Sequence, residues 1–375
     1  MLFERHVHLL PQLRQVWQLR RCRHIVCIQD CPAGKGKAGH CVTIASMGNI
    51  TDNWGIIGHE WAVHLLAARI ASGRVAHAYL FTGPPQVGKT TLAIRLAQAL
   101  NCIATTPPCG VCRPCDLIGR ALHPDVQVIE PVGRAIHIEA IRTLQSTLSL
   151  LPFEAPHRIA IILNIEKATD QAADALLKTL EEPPSTTHLL LTAESAEMVR
   201  PTIVSRCHTI ALRPVGAAPI ERALTALGAS PDEAHTLARL SGGRPGWALT
   251  AFRQPEVLTM RARIVEEMLQ VLYTGRAGRF DYSEQIAEQD ALPLILEIWQ
   301  SWWRDVLLLA EGSAVEPVNV DYGETLRDLA RRIAPQQARD ALRAVRRTMD
   351  ALERNANTRL ALDVMLLDMP FLSSG

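Results

Sequence analysis

From Thr82 to Leu92 the chain reads T-G-P-P-Q-V-G-K-T-T-L, and Gly83, Gly88, Lys89 and Thr90 fill the spacing G-x-x-x-x-G-K-[ST]. That spacing suits phosphate chemistry. Two residues without a Cβ let the loop turn tightly and bring backbone N–H groups close to a phosphate. Lys89 supplies charge for the outer phosphates, Thr90 offers a hydroxyl to magnesium, and a helix opening here turns its positive end toward the anion. Pro84, Pro85, Gln86 and Val87 make the body of the loop and Thr91 continues it, so Gly83 to Thr91 is the candidate site for ATP with Mg2+. From average residue usage, a chance match in a chain this long has odds of about one in a hundred. The flanks lower the odds further: Tyr79, Leu80 and Phe81 form an apolar run before the loop, and Leu92, Ile94, Leu96 and Leu100 continue as a helix after it.

A second constellation follows. Cys102 precedes Cys109-Gly-Val-Cys112-Arg-Pro-Cys115, three thiols at two-residue gaps with a fourth a short loop upstream. Four thiolates can close a tetrahedron around one Zn2+, and a site with no open position is structural rather than catalytic. Pro107, Pro108, Gly110 and Pro114 make the segment loop-like and poor at burying thiols, which argues against reduced core cysteines. Cys22, Cys27, Cys31 and Cys41 lack a C-x-x-C pair and are expected to be unstructured thiols.

These groups need a scaffold. Val126 to Ile129, Arg158 to Leu163, His188 to Thr192 and His208 to Leu212 read as strands joining the one before the loop. Helices are expected from Trp54 to Ile70, with Trp61, Leu65 and Ala68 on one face, around Ile141, Leu144 and Leu148, and from Asp170 to Pro183-Pro184. Strands alternating with helices predict a doubly wound parallel sheet, with nucleotide at the strands' C-terminal ends. Beyond Pro214 only helices are expected, and Leu294, Ile298, Trp302 and Trp303 form a stripe that reads as core or subunit interface before a nucleic-acid platform.

At 375 residues, 48% hydrophobic and 21% charged, the chain can build two or three domains, and its net charge of +1 gives no strong field for nucleic acid or membranes. No run approaches a membrane helix in length. Clustered cysteines without a secretory signal fit a reducing cytoplasm. Residues 1–46 are basic and acid-poor, and three readings stand: a disordered extension, a transit peptide, or a stretch preceding a natural start at Met47.

H-A-Y-L-F-T-G-P-P-Q-V-G-K-T from His77, the four cysteines, A-L-L-K-T-L-E-E-P-P from Ala175 and Ser205-Arg206-Cys207 together resemble the delta-prime subunits of bacterial DNA polymerase III clamp loaders, within the AAA+ clamp-loader family. W-W-R-D at Trp302 and N-A-N-T-R-L at Asn355 extend the likeness to roughly Pro370. The resemblance implies an α/β P-loop, RecA-like AAA+ parallel sheet with a zinc insert, a small helical lid and an all-α collar. The expected boundaries are 47–213 with the zinc module at 102–115, then 214–254 and 255–375. It implies a hetero-pentamer with gamma/tau and delta subunits, a sliding clamp, and primed DNA reached through the assembly. It also gives Arg206 a role in trans on a neighbour's ATP, and it adds Arg244, in the turn from Ser241 to Gly246, to the nucleotide-binding set.

One departure stands out. Counting back from A-L-L-K, the two acids that end the third strand in the family's motors fall on Leu163 and Asn164. Those acids order magnesium and polarise the attacking water. Glu166 can replace them only if the strand end is remodelled. A subunit that binds ATP and hydrolyses little is therefore expected. A gamma/tau-type motor and an unrelated P-loop ATPase remain the alternatives.

Overall fold

The computed structural model describes residues 53–372. The expected extension over 1–46, with Cys22, Cys27, Cys31 and Cys41, lies outside the described residues. The chain divides into two compact units, Met1–Val215 and Gly216–Gly375.

Five strands, β1 (Ala78–Thr82), β2 (Val126–Ile129), β3 (Arg158–Ile162), β4 (Thr187–Ala193) and β5 (His208–Ala211), form one sheet in the first unit. Their order is β2-β3-β4-β1-β5 and every pairing is parallel. β1, β3 and β4 are buried along their whole length, as their unbroken apolar runs require when helices cover both faces of a sheet. Alternate residues of β1 serve different cores. Tyr79 and Phe81 pack with α1 (Glu60–Ala71) and α2 (Lys89–Asn101), whereas Ala78 and Leu80 pack with α4 (Ile138–Leu148) and α5 (Asp170–Glu181). Between α2 and β2 lies the short α3 (Arg113–Gly119). Thr169 caps α5 by accepting from the Ala172 N–H, and Pro183 and Pro184 follow its end. After β4 a one-turn α6 (Pro201–Val204) leads to β5.

The first helix begins later than its periodicity suggests. Residues 54–59 form turns in which Trp54 and Ile56 are buried, and α1 starts only at Glu60. Its inward face is Ala62, Val63 and Leu66; Trp61, Leu65 and Ala68, expected together on one face, lie together on the exposed one. Spacing fixes which residues share a face but not which way the face points.

The second unit is helical: α7 (Ala217–Ala226), α8 (Pro231–Leu240), α9 (Pro245–Arg253), α10 (Glu256–Leu272), α11 (Arg276–Ala287), α12 (Leu292–Ala310), α13 (Gly323–Arg332), α14 (Pro335–Glu353) and α15 (Thr358–Leu367). Trp299, Trp302 and Trp303 are 0% exposed at the centre of its core. The tryptophan stripe is therefore core, not a stacking platform. Arg279 holds the C-terminal segment by donating to the carbonyls of Leu366, Met369 and Pro370.

Candidate functional site

The phosphate loop leaves β1 at Thr82 and enters α2 at Lys89. Gly83 has φ 143°, and a Cβ there would lie 2.3 Å from the Leu212 carbonyl oxygen, so only glycine fits. Its N–H donates to the Glu194 carbonyl at 3.0 Å, which ties the loop to the end of β4. Gly88, the residue before α2, has φ 115°. Val87 is buried and its carbonyl meets His59 Nε2 at 3.1 Å, while Pro85, Gln86 and Thr91 stay exposed and Thr90 is half-buried. The loop is thus pinned at both ends and open at its crown.

Lys89 curls back along this loop. Its ammonium donates to the carbonyls of Gly83 at 2.5 Å and Pro84 at 2.8 Å. Burial pulls its pKa below the usual lysine value, against the opposing pull of Glu194 and Glu166. An anion settling on the loop would compete with those carbonyls for the ammonium, and its charge would offset the burial.

Opposite stands the end of β3, which lacks the acids. Leu163 is 1% exposed and packs in the core, and Asn164 is left-handed at φ 53°, with its N–H donating to Thr192 Oγ1 at 3.0 Å. A 3-10 turn over Ile165–Lys167 then swings Glu166 back. Its carboxylate accepts from Asn164 Nδ2 at 3.2 Å and acts electrostatically on Lys89. The tip of β3 therefore carries no carboxylate, and Glu166 stands on the turn that follows it.

The four cysteines converge. The sulfurs of Cys102, Cys109, Cys112 and Cys115 all lie within 4.8 Å of one another, with Cys102 to Cys112 at 3.9 Å and Cys109 to Cys115 at 4.0 Å. Zinc–thiolate bonds of about 2.3 Å give sulfur–sulfur edges of about 3.8 Å, so the cluster could hold a metal ion with little adjustment. N–H groups of Val111 and Cys112 and the neighbouring thiols outweigh burial and bring Cys109 down to about 7, whereas burial pushes Cys102 and Cys115 up.

Three buried polar residues of α2 had no role in the sequence reading, and one of them, Gln98, ties the helix to this module. Arg95, Gln98 and Asn101 sit at three-residue spacing on α2 and are all buried. Arg95 donates to Gln98 at 2.9 Å, Gln98 donates to the Cys115 carbonyl at 2.6 Å, and Asn101 exchanges hydrogen bonds with the His157 backbone. The signal was present as a polar stripe on an otherwise apolar helix. Away from the module, Asp125 is 1% exposed and accepts from the N–H groups of Phe153, Glu154 and Ala155 and from Arg158.

Arg206 lies just before β5. Its guanidinium pairs with Glu181 at 2.5 Å and donates to the Thr202 carbonyl at 2.9 Å. Glu181 is the first glutamate of L-E-E-P-P, at the end of α5. Arg244 belongs to the second unit, where it bonds Glu297 on α12 at 2.9 Å and the Ser241 carbonyl at 3.0 Å.

A phosphate loop between β1 and α2, on a parallel sheet ordered β5-β1-β4-β3-β2 with helices on both faces, defines a P-loop α/β domain of the AAA+ class. The sequence model of the family described as "DNA polymerase III, delta subunit" matches residues 58–216. DNA polymerase III subunit delta' of Pseudomonas aeruginosa is 37% identical over 260 residues, covering 66% of this chain and 77% of that protein. The Bacillus subtilis delta' subunit is 28% identical over 313 residues, covering 81% of this chain and 93% of the other. The chain belongs to the DNA polymerase III delta-prime family. Escherichia coli subunit tau is 36% identical over 154 residues, which is 40% of this chain and 24% of tau. A solved DNA polymerase III gamma-subunit-related protein of Thermotoga maritima superposes with a TM-score of 0.37 at 18% identity, over 80% of this chain and 97% of that one. Among the described residues no helix is long and apolar enough to cross a membrane.

Proposed function

We propose that this chain is a clamp-loader subunit of delta-prime type. It joins gamma/tau and delta subunits in a hetero-pentamer that uses ATP to place a sliding clamp on primed DNA. Residues 47–213 form its nucleotide-binding domain, 214–254 its lid and 255–375 the collar that holds the pentamer together. Gly83 to Thr91 bind ATP with Mg2+, Lys89 leaving the loop carbonyls for the outer phosphates, and Arg244 belongs to the same binding set. Cys102, Cys109, Cys112 and Cys115 hold one structural Zn2+. Arg206 acts in trans, stabilising charge on the γ-phosphate of the neighbour's ATP.

The observation that carries this reading is the pairing of an intact phosphate loop with a strand end where Leu163 and Asn164 replace the acids. Such a site binds nucleotide and leaves water unactivated. A gamma/tau-type motor would need Glu166 in the acid's place. Nucleotide binding and turnover by the isolated chain separate the two: binding with no turnover is expected, and steady hydrolysis lost on Lys89→Ala would establish the motor instead.

A further inference from the structure

Five lysine and arginine side chains are buried among the described residues, and four of them end on oxygens that settle their charge. Lys89 holds two loop carbonyls and Arg279 three carbonyls of the C-terminal segment, while Arg158 pairs with Asp125 and Arg261 with Asp321. Arg95 is the exception. Its guanidinium donates to one neutral amide oxygen, Gln98 Oε1, and among the described residues no carboxylate or carbonyl answers it. Taking a cation out of water without an opposing charge is costly, so an anion is expected beside it.

The helix shows where that anion forms. Arg95 and Gln98 lie one turn apart on α2, whose last residue, Asn101, directly precedes Cys102. Gln98 donates to the Cys115 carbonyl at 2.6 Å, and the Cys115 sulfur lies 3.9 Å from the Gln98 carbonyl oxygen. Burial pulls the Arg95 pKa below the usual arginine value, and Cys115 is the group that acts against that pull. Four thiolates around one Zn2+ leave a net charge of about −2. Between Cys102 and Cys115 the only basic residue is Arg113, which is exposed and pairs with Glu154. A cation without an anion and a cluster with surplus negative charge thus meet across Gln98. We propose that Arg95 supplies the counter-charge of the metal–thiolate cluster, acting through Gln98 as a positioning residue that tightens the hold on Zn2+. This rests on the reading of the four cysteines as one zinc site. The role differs from packing: it is silent in the metal-free chain and felt when the metal binds.

The experiment titrates the full, reduced, metal-free chain with Zn2+ in competition with a chromophoric chelator, and measures the melting temperature of the metal-free form alongside. Arg95→Met keeps length and apolar bulk but removes the charge. It should weaken zinc about tenfold or more, the scale seen for outer partners of metal ligands. The metal-free melting temperature should hold or rise, because a buried charge without an opposing one has gone. Arg95→Gln is the second neutral variant and should weaken zinc likewise. Arg95→Lys keeps the charge while losing the fork, so its affinity should fall closer to the wild type than that of either neutral variant. Zinc affinity unchanged in the neutral variants, or lost equally with Arg95→Lys, would overturn the counter-charge. A metal-free melting temperature that falls in step with zinc affinity would overturn it too and return Arg95 to packing. If the wild type takes up no zinc, the cysteine reading itself fails; if it binds zinc and the neutral variants match it, only the role of Arg95 fails.

Discussion

The phosphate loop and the strand end that faces it have parted ways. In the loop every residue that backbone geometry demands is in place: Gly83 sits where a Cβ would strike the Leu212 carbonyl, and Gly88 holds a left-handed turn into α2. Across from it, the tip of β3 carries a buried leucine and an asparagine bonded to Thr192. Binding depends on the loop's N–H groups and lysine, whereas hydrolysis depends on placed acids, so one half of a P-loop centre can persist without the other. On the proposed reading, a site in this condition would report nucleotide without consuming it.

The comparison breaks most sharply at Lys89. Lys89→Ala should weaken ATP binding by two orders of magnitude or more, roughly 3 kcal/mol, as a charge-assisted contact is lost from a largely buried site. Equilibrium dialysis measures this, and undiminished binding would show that the loop is a relic.

Metal removal asks whether the cysteine module belongs to the loop's chemistry. Purified protein should carry one zinc ion, and chelation should open residues 102–119 to protease while nucleotide binding survives, because the loop is pinned by Glu194, Leu212 and His59 instead. Elemental analysis and limited proteolysis check both halves.

Asp125 gives a smaller effect with a definite sign. Its burial favours the neutral acid, but N–H groups of Glu154, Phe153 and Ala155 and the Arg158 guanidinium outweigh that and hold its pKa below the ordinary carboxylate value. A folded pKa below the unfolded one contributes stability that is present above about pH 4 and lost as pH falls through the lowered folded value. Asp125→Asn should therefore cost about 2 kcal/mol at neutral pH, with the gap closing in acid, as denaturant titrations across pH would show. A gap that is independent of pH would mean the aspartate acts by shape alone.

Smallest is the effect at the strand tip itself. Asn164→Glu restores one acid at a half-exposed position, at a cost of about 1 kcal/mol for a left-handed backbone that asparagine tolerates better. Turnover should stay absent, since the magnesium-ordering position still holds Leu163.

Much of this was legible because glycine, proline and cysteine act locally. The strand bounds follow from short apolar runs, and the loop and cysteine cluster from spacing that the chain itself closes. The outward turn of Trp61 and Leu65 was not legible: which face of a helix meets the sheet depends on Trp54 and Ile56 filling the seam ahead of it. Nor was Glu181 as the partner of Arg206, because that pairing joins the end of α5 to a segment 25 residues on, which periodicity does not report. The buried stripe of Arg95, Gln98 and Asn101 was visible as polar residues at helical spacing, but its partners, the Cys115 carbonyl for Gln98 and the His157 backbone for Asn101, lie far along the chain.

Arg206 carries the central claim, that a chain which does not hydrolyse ATP switches on its neighbour. An exposed pair such as Arg206–Glu181 is worth at most about 1 kcal/mol, so the arginine can leave Glu181 for a γ-phosphate at little cost. The direct measurement is ATP turnover by a pentamer reconstituted with wild-type motor subunits, clamp and primed DNA. Arg206→Ala should cut turnover and clamp loading about a hundredfold or more, with this chain's fold, zinc and nucleotide binding intact, and Arg206→Lys should rescue poorly. Unchanged turnover with Arg206→Ala would contradict the account and leave Arg206 as a surface partner of Glu181.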